Sequence, residues 1–254
     1  VVTGAGTGLG ATLARRFAAA GARPVLVARS ERSLTTGAAA ARAAGGDPVT
    51  VAADVTSADD LARAAAVVDG LGGADVLVNS AFPTPTGGAV LDLDADGLAS
   101  WRAAMETGGW GTLLACRAFV PAMVAKGAGS VVNVTSMSSR VAHAGRSEYA
   151  AGKVQSHRIA QALAEEVGPA GVRVNCVAPG HILSDVLQGW YRTVAERRGV
   201  TYEDVLAEVT AAMALRRIAT EDEVANAVLF LASDLASGIT GAVIDVNAGN
   251  YFTP

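Results

Sequence analysis

Short apolar runs at residues 24–28, 49–53, 76–78, 130–134, 172–177 and 242–246 alternate with longer stretches in which alanine, leucine and valine return every three or four positions. Unbroken apolar runs of that length predict strands buried on both faces, and the longer period predicts amphipathic helices between them. Val1 and Val2 read as the end of a first strand, followed by a glycine loop and a helix over 9–20. Further helices are predicted at 33–44, at 57–69 behind a Ser57 cap, across 94–126, from Ser147 to Gly168, and from Thr220 to Leu231. Gly108, Gly109 and Gly111 interrupt the long helix, and glycine there predicts a kink or a close approach. Strands alternating with helices predict an α/β fold: a doubly wound, seven-stranded parallel sheet of Rossmann type with helices on both faces. Residues 182–215 do not fit the repeat and predict a small helical insertion over the strand ends, a substrate lid.

The 254 residues hold no linker-like stretch, which predicts a single domain over 1–254. A net charge of -4 argues against nucleic acid as a partner. Cys116 and Cys176 lie far apart inside apolar runs, which predicts buried thiols rather than a disulfide. The sequence shows no metal-ligand spacing, no membrane span and no leader at Val1, so a soluble, cytoplasmic protein is expected.

Two stretches carry chemistry. Thr3-Gly4-Ala5-Gly6-Thr7-Gly8-Leu9-Gly10 lies between a strand and a helix, where glycines admit close approach of a ligand and the helix start offers N–H groups to a pyrophosphate. At the end of the next strand stand Ala28, Arg29 and Ser30 in place of the acidic residue that would bind a ribose 2′-hydroxyl, so NADP(H) is expected in preference to NAD(H). The second stretch is Tyr149-x-x-x-Lys153, with Ser136 upstream. Four residues apart on a helix, the phenol and the ammonium share a face, and a nearby cation lowers a phenol's pKa towards the working range of an acid. The chain has only two lysines, Lys126 and Lys153, so composition alone does not explain this pairing.

Thr3-Gly4-x-x-x-Gly8-x-Gly10, Asp54-Val55, Asn79-x-Ala81, Ser136, Tyr149-x-x-x-Lys153, Arg173-Val174-Asn175 and Pro179-Gly180 together resemble the short-chain dehydrogenase/reductase family along essentially the whole chain, with only the first residues of the opening strand missing. The resemblance implies that Tyr149 donates the proton, Ser136 polarises the carbonyl, and Lys153 lowers the tyrosine pKa and binds the nicotinamide ribose. It implies a dinucleotide held by Gly4, Thr7, Gly8 and Leu9 at the glycine loop, by Arg29 and Ser30, by Asp54 and Val55 at the adenine, and by Asn79 and Ala81. Pro179, Gly180, Ile182 and Ser184 would complete the nicotinamide side. The implied reaction is NADPH-dependent reduction of a ketone, or oxidation of the matching secondary alcohol, in a homotetramer or homodimer. Phe82, His143, His181 and Trp190 are candidate contacts to a lipophilic or ring-containing carbonyl or alcohol substrate.

Two positions depart from the pattern. Gly108 stands where the family has a catalytic asparagine, and Phe82 where a glycine is common. The first predicts slower proton supply, an enlarged cavity open to water, or a non-redox reaction such as cyclisation or dehydration on the same scaffold. It also predicts that Gly108→Asn raises reduction if proton relay is limiting. Phe82 is expected to narrow the cofactor cleft or to meet substrate.

Overall fold

A computed structural model describes residues 1–252 and resolves the alternation into nine strands and nine α-helices among those residues. The order is β1 (Val2–Thr3), α1 (Leu9–Ala19), β2 (Val25–Ala28), α2 (Glu31–Ala43), β3 (Val49–Ala52), α3 (Ala58–Asp69), β4 (Val76–Asn79), α4 (Ala95–Met105), α5 (Thr112–Lys126), β5 (Gly129–Val134) and α6 (Ser147–Val167). Then follow β6 (Val172–Pro179), β7 (Ile182–Leu183), α7 (Asp185–Arg198), α8 (Tyr202–Ala211), β8 (Ala219–Thr220), α9 (Glu221–Ala232) and β9 (Val243–Val246).

Seven strands form one sheet in the order β3-β2-β1-β4-β5-β6-β9, every neighbouring pair parallel. The sheet separates two apolar clusters. One gathers α3, α5 and α6 around Leu77, Phe119, Val131 and Val174; the other gathers α1, α2 and α9 around Leu13, Leu26, Val132 and Val228. Alternate residues of β5 therefore serve opposite cores, as the period of two requires. Chain order reverses between β1 and β4, and the carboxyl ends of the strands open a crevice there.

A polar thread fixes the centre. Asn79 on β4 donates to Asn133 on β5 at 2.9 Å, and Asn133 donates to the Ser156 carbonyl of α6 at 3.0 Å. Buried amides cost several kcal/mol if left unpaired, so this thread ties the register of two strands to the helix that carries Tyr149 and Lys153. The segment after β4 is tied to the same helix, since buried Glu148 accepts from the Gly87 N–H at 2.7 Å.

The interruption at Gly108 is a π-helical stretch, Glu106–Gly111, joining α4 to α5. A wider turn displaces the helix axis without ending the helix, which satisfies the expected kink. The segment at 182–215 forms α7 and α8, with β7 paired to β8 and a small core of Tyr191, Ala195, Val205, Met213 and Ile218.

Candidate active site

Strand β1 delivers the glycine loop to the crevice. Gly4 has φ +70°, and a Cβ there would lie 2.6 Å from Ala81 Cα; at Gly10 a Cβ would collide with the Gly4 carbonyl. Backbone of the loop and of the segment after β4 thus meet without side chains between them. No side chain caps α1, whose first-turn N–H groups face an incoming anion.

Two cavities adjoin this loop. One, of about 490 Å³, is lined by Gly4, Thr7, Arg29, Ser30, Asp54, Val55, Ala81 and Phe82, among others. The other, of about 260 Å³, is lined by Gly4, Thr7, Leu9, Phe82, Tyr149, Lys153, Pro179, Gly180 and Ile182, among others. Together they fit an extended dinucleotide: a glycine cradle that any Cβ would fill, an adenosine side ending at Arg29, and a nicotinamide side ending at Tyr149. A larger cleft, about 770 Å³, lies around Val1, Phe17 and Phe230 and touches none of Ser136, Tyr149 and Lys153.

Arg29 is exposed, with its guanidinium 3.9 Å from the Asp54 carboxylate. Asp54 is held by the N–H and hydroxyl of Thr56 at 2.9 and 2.8 Å, while Ser30 caps α2 by accepting from the Ser33 N–H at 3.2 Å. Arg29 shares the lining of this cavity with Ser30 and Ser33, whose hydroxyls are 2.9 Å apart.

Lys153 is buried, and its ammonium donates to the Val134 carbonyl at 2.8 Å, while burial lowers its pKa to about 7. The Tyr149 pKa is raised by burial of the phenol; a hydrogen bond with Ser136 and the Arg146 charge pull it part of the way back. The expected lowering of the phenol by Lys153 is therefore not what this structure shows. The ammonium lies 5.8 Å from the Tyr149 ring centroid, bonded to β5, and desolvation of the phenol outweighs the Ser136 hydrogen bond and the Arg146 charge. Arg146, whose guanidinium lies 5.2 Å from the Tyr149 ring centroid, is a site residue that the sequence reading missed. The signal was present in its spacing, three residues before Tyr149 at the start of α6.

The Lys153 shift has a measurable consequence. Between pH 7 and 10.5 the folded protein leaves this amine neutral while the unfolded chain protonates it, so stability from this group rises with pH across that window. The Cys176 thiol, pushed up to about 12, and raised Tyr149 work in the opposite sense above about pH 9 and pH 10, where only the unfolded chain ionises them, but both are common to wild type and a Lys153 variant and cancel in the comparison. Urea denaturation should show wild type gaining about 1–2 kcal/mol between pH 7 and 9 relative to Lys153→Met. Equal pH dependence in the two proteins would refute the shift.

The remaining candidates separate. Ile182, Pro179 and Gly180 line the second cavity; Ser184, not among its lining residues, caps α7 by accepting from the Leu187 N–H at 3.2 Å, which leaves its own proton to donate. His181 Nδ1 lies 2.5 Å from the Tyr191 hydroxyl, and burial lowers its pKa. His143 is exposed on the loop before α6. Trp190 is 59% exposed, its ring 5.4 Å from that of Tyr191, and lines neither cavity.

The enlarged cavity expected at Gly108 is not there. A Cβ on Gly108 would lie 2.7 Å from the Gly152 carbonyl oxygen and 2.9 Å from Phe82 Cε2. The space is filled by the Phe82 ring.

Known proteins agree with this geometry. Residues 4–250 match the family described as enoyl-(acyl carrier protein) reductase. The chain is 37% identical over 250 residues to galactitol 2-dehydrogenase (L-tagatose-forming) of Cereibacter sphaeroides, covering 98% of this chain and 92% of that one. It is 35% identical to cis-4-hydroxycyclohexanecarboxylate dehydrogenase of Sinomonas cyclohexanicum, covering 98% and 94%. Among solved structures, L-sorbose reductase of Gluconobacter frateurii, complexed with NADPH and L-sorbose, superposes with a TM-score of 0.89 at 28% identity, covering 100% and 96%. NAD+-bound xylitol dehydrogenase superposes with a TM-score of 0.86 at 25% identity, covering 96% and 95%. The chain belongs to the short-chain dehydrogenase/reductase family. It is an NAD(P)-dependent oxidoreductase that acts on a small molecule. Among the described residues no helix is long and apolar enough to cross a membrane, and no cluster of side chains could hold a metal.

Proposed function

We propose that the protein reduces a ketone, or oxidises the corresponding secondary alcohol, of a small lipophilic or ring-containing substrate, with NADP(H) as its dinucleotide. The observation that carries this reading is the Tyr149 hydroxyl, hydrogen-bonded to buried Ser136 and set beside buried Lys153, in a cavity whose lining includes the glycine loop. The relatives named above act, by their names, on a polyol and on a hydroxylated ring, both secondary alcohols. When bound along the two cavities, the nicotinamide dinucleotide supplies or accepts the hydride. Ser136 donates a hydrogen bond to the carbonyl oxygen, Tyr149 hands that oxygen its proton, and the charge growing there meets two hydroxyls already in place. Lys153 holds the ribose from the α6 side. The helical segment 182–215 walls the substrate, with Ile182 in the cavity lining.

Choice of NADP(H) rests on Arg29. Its guanidinium, flanked by Ser30 and Ser33, suits a 2′-phosphate, and no carboxylate ends β2. Arg29→Ala is expected to raise the KM for NADPH about tenfold to a hundredfold and to leave the KM for NADH nearly unchanged. Initial rates with both dinucleotides, against aliphatic, aromatic and cyclic ketones, test both points. Equal losses with NADPH and NADH would remove Arg29 as the phosphate reader, and no turnover with either would remove the reductase reading. A cyclase or dehydratase reading rests on Gly108 alone, and Phe82 gives that glycine a different purpose.

A further inference from the structure

The two departures from the family pattern meet in space. Phe82 follows β4, Gly108 lies in the π-helical stretch, and Gly152 precedes Lys153 on α6. The ring of Phe82 is wedged between the two glycines: a Cβ on Gly108 would lie 2.9 Å from Phe82 Cε2, and a Cβ on Gly152 would lie 2.9 Å from both Cε2 and Cζ. Neither position tolerates a side chain while the ring is there. The Lys153 ammonium stands over the face of this ring, 4.4 Å from its centroid, and the Tyr149 ring meets Phe82 edge-on at 5.2 Å and 83°.

We propose that Phe82 is a positioning residue for Lys153, its ring face serving as a partner of the ammonium in a slot cleared by Gly108 and Gly152. An ammonium has three donor directions. One is taken by the Val134 carbonyl, the Phe82 π-face covers a second, and the third is left for the cavity that Lys153 and Tyr149 line. An ammonium held on two sides points its remaining donor without any polar side chain from the π-helical stretch. Because the ring face favours the charged form, it also opposes the desolvation of Lys153. The inference rests on the Tyr149–Lys153 reading of the site, but its test does not depend on turnover.

With only two lysines, 13Cε-lysine labelling gives two side-chain signals, and exposed Lys126, paired with Asp75, serves as an internal reference. In the dinucleotide-free wild type, the Lys153 ε-methylene protons should be moved upfield of those of Lys126 by the ring current. Phe82→Leu keeps the slot apolar but removes the π-face. It should abolish that displacement and lower the Lys153 titration midpoint by roughly half a unit to a unit and a half, whereas Phe82→Tyr should keep both near wild type. Tyr149 and Cys176 are the titratable groups facing Lys153, and neither is altered in these variants. Wild-type signals without the upfield displacement would overturn the proposal even if Phe82→Leu failed to fold. An unchanged or raised midpoint in folded Phe82→Leu would overturn it too. Absence of ketone reduction by the wild type would sink the functional reading and leave this result intact.

Discussion

Tyr149→Phe should cut the NADPH-dependent turnover of a ketone substrate by about a hundredfold to ten-thousandfold, the usual range for losing a positioned general acid. The substitution removes one oxygen. The ring, its edge contact with Phe82 and the Arg146 guanidinium beside it all have the same partners in phenylalanine, so fold and dinucleotide binding should persist. NADPH binding followed by fluorescence, beside single-turnover hydride transfer followed by absorbance, separates the two. Ser136 would still polarise the carbonyl, but the oxygen would receive no proton from the protein, and the loss should fall on kcat more than on KM. A variant with kcat within a few-fold of wild type would show that the proton comes from another group and would remove Tyr149 from its role.

Much of this site was legible before the fold was known, and physics explains which parts. Strands buried on both faces must be unbroken apolar runs, so β2 to β6 stood out and the sheet followed from their alternation with helices. The glycine loop, Tyr149 and Lys153 are local patterns whose chemistry follows from spacing along one element. What stayed illegible depends on distances between elements. Phe82 and Gly108 read as two unrelated departures, because nothing in the chain says that residues separated by a helix and a loop come so close that a Cβ on Gly108 would lie 2.9 Å from the Phe82 ring. The balance between burial and charge at Tyr149 was misjudged for the same reason: spacing gives the neighbouring cation but not the amount of water excluded.

Gly108→Asn, which on sequence grounds should restore a proton path and speed reduction, is expected to do the reverse. The first atom of the new side chain would sit 2.7 Å from the Gly152 carbonyl oxygen and 2.9 Å from Phe82 Cε2. Only one of these neighbours is a side chain that can turn aside. The other is backbone of α6, one residue from Lys153, so relief requires the π-helical stretch and α6 to move apart. Overpacking of this kind costs about 1–3 kcal/mol, and a backbone partner places the cost near the upper end, a fall in Tm of roughly 6–12 °C for a chain of this size. Turnover should fall as well, because the same displacement moves Lys153 and Phe82. Adding Phe82→Gly should recover part of the lost stability but not all of it, since Gly152 remains, and a double-mutant cycle by differential scanning calorimetry would show that coupling. A Gly108→Asn protein as stable as wild type and faster with ketones would mean that the slot opens freely, and it would return Gly108 to the role of a missing relay residue.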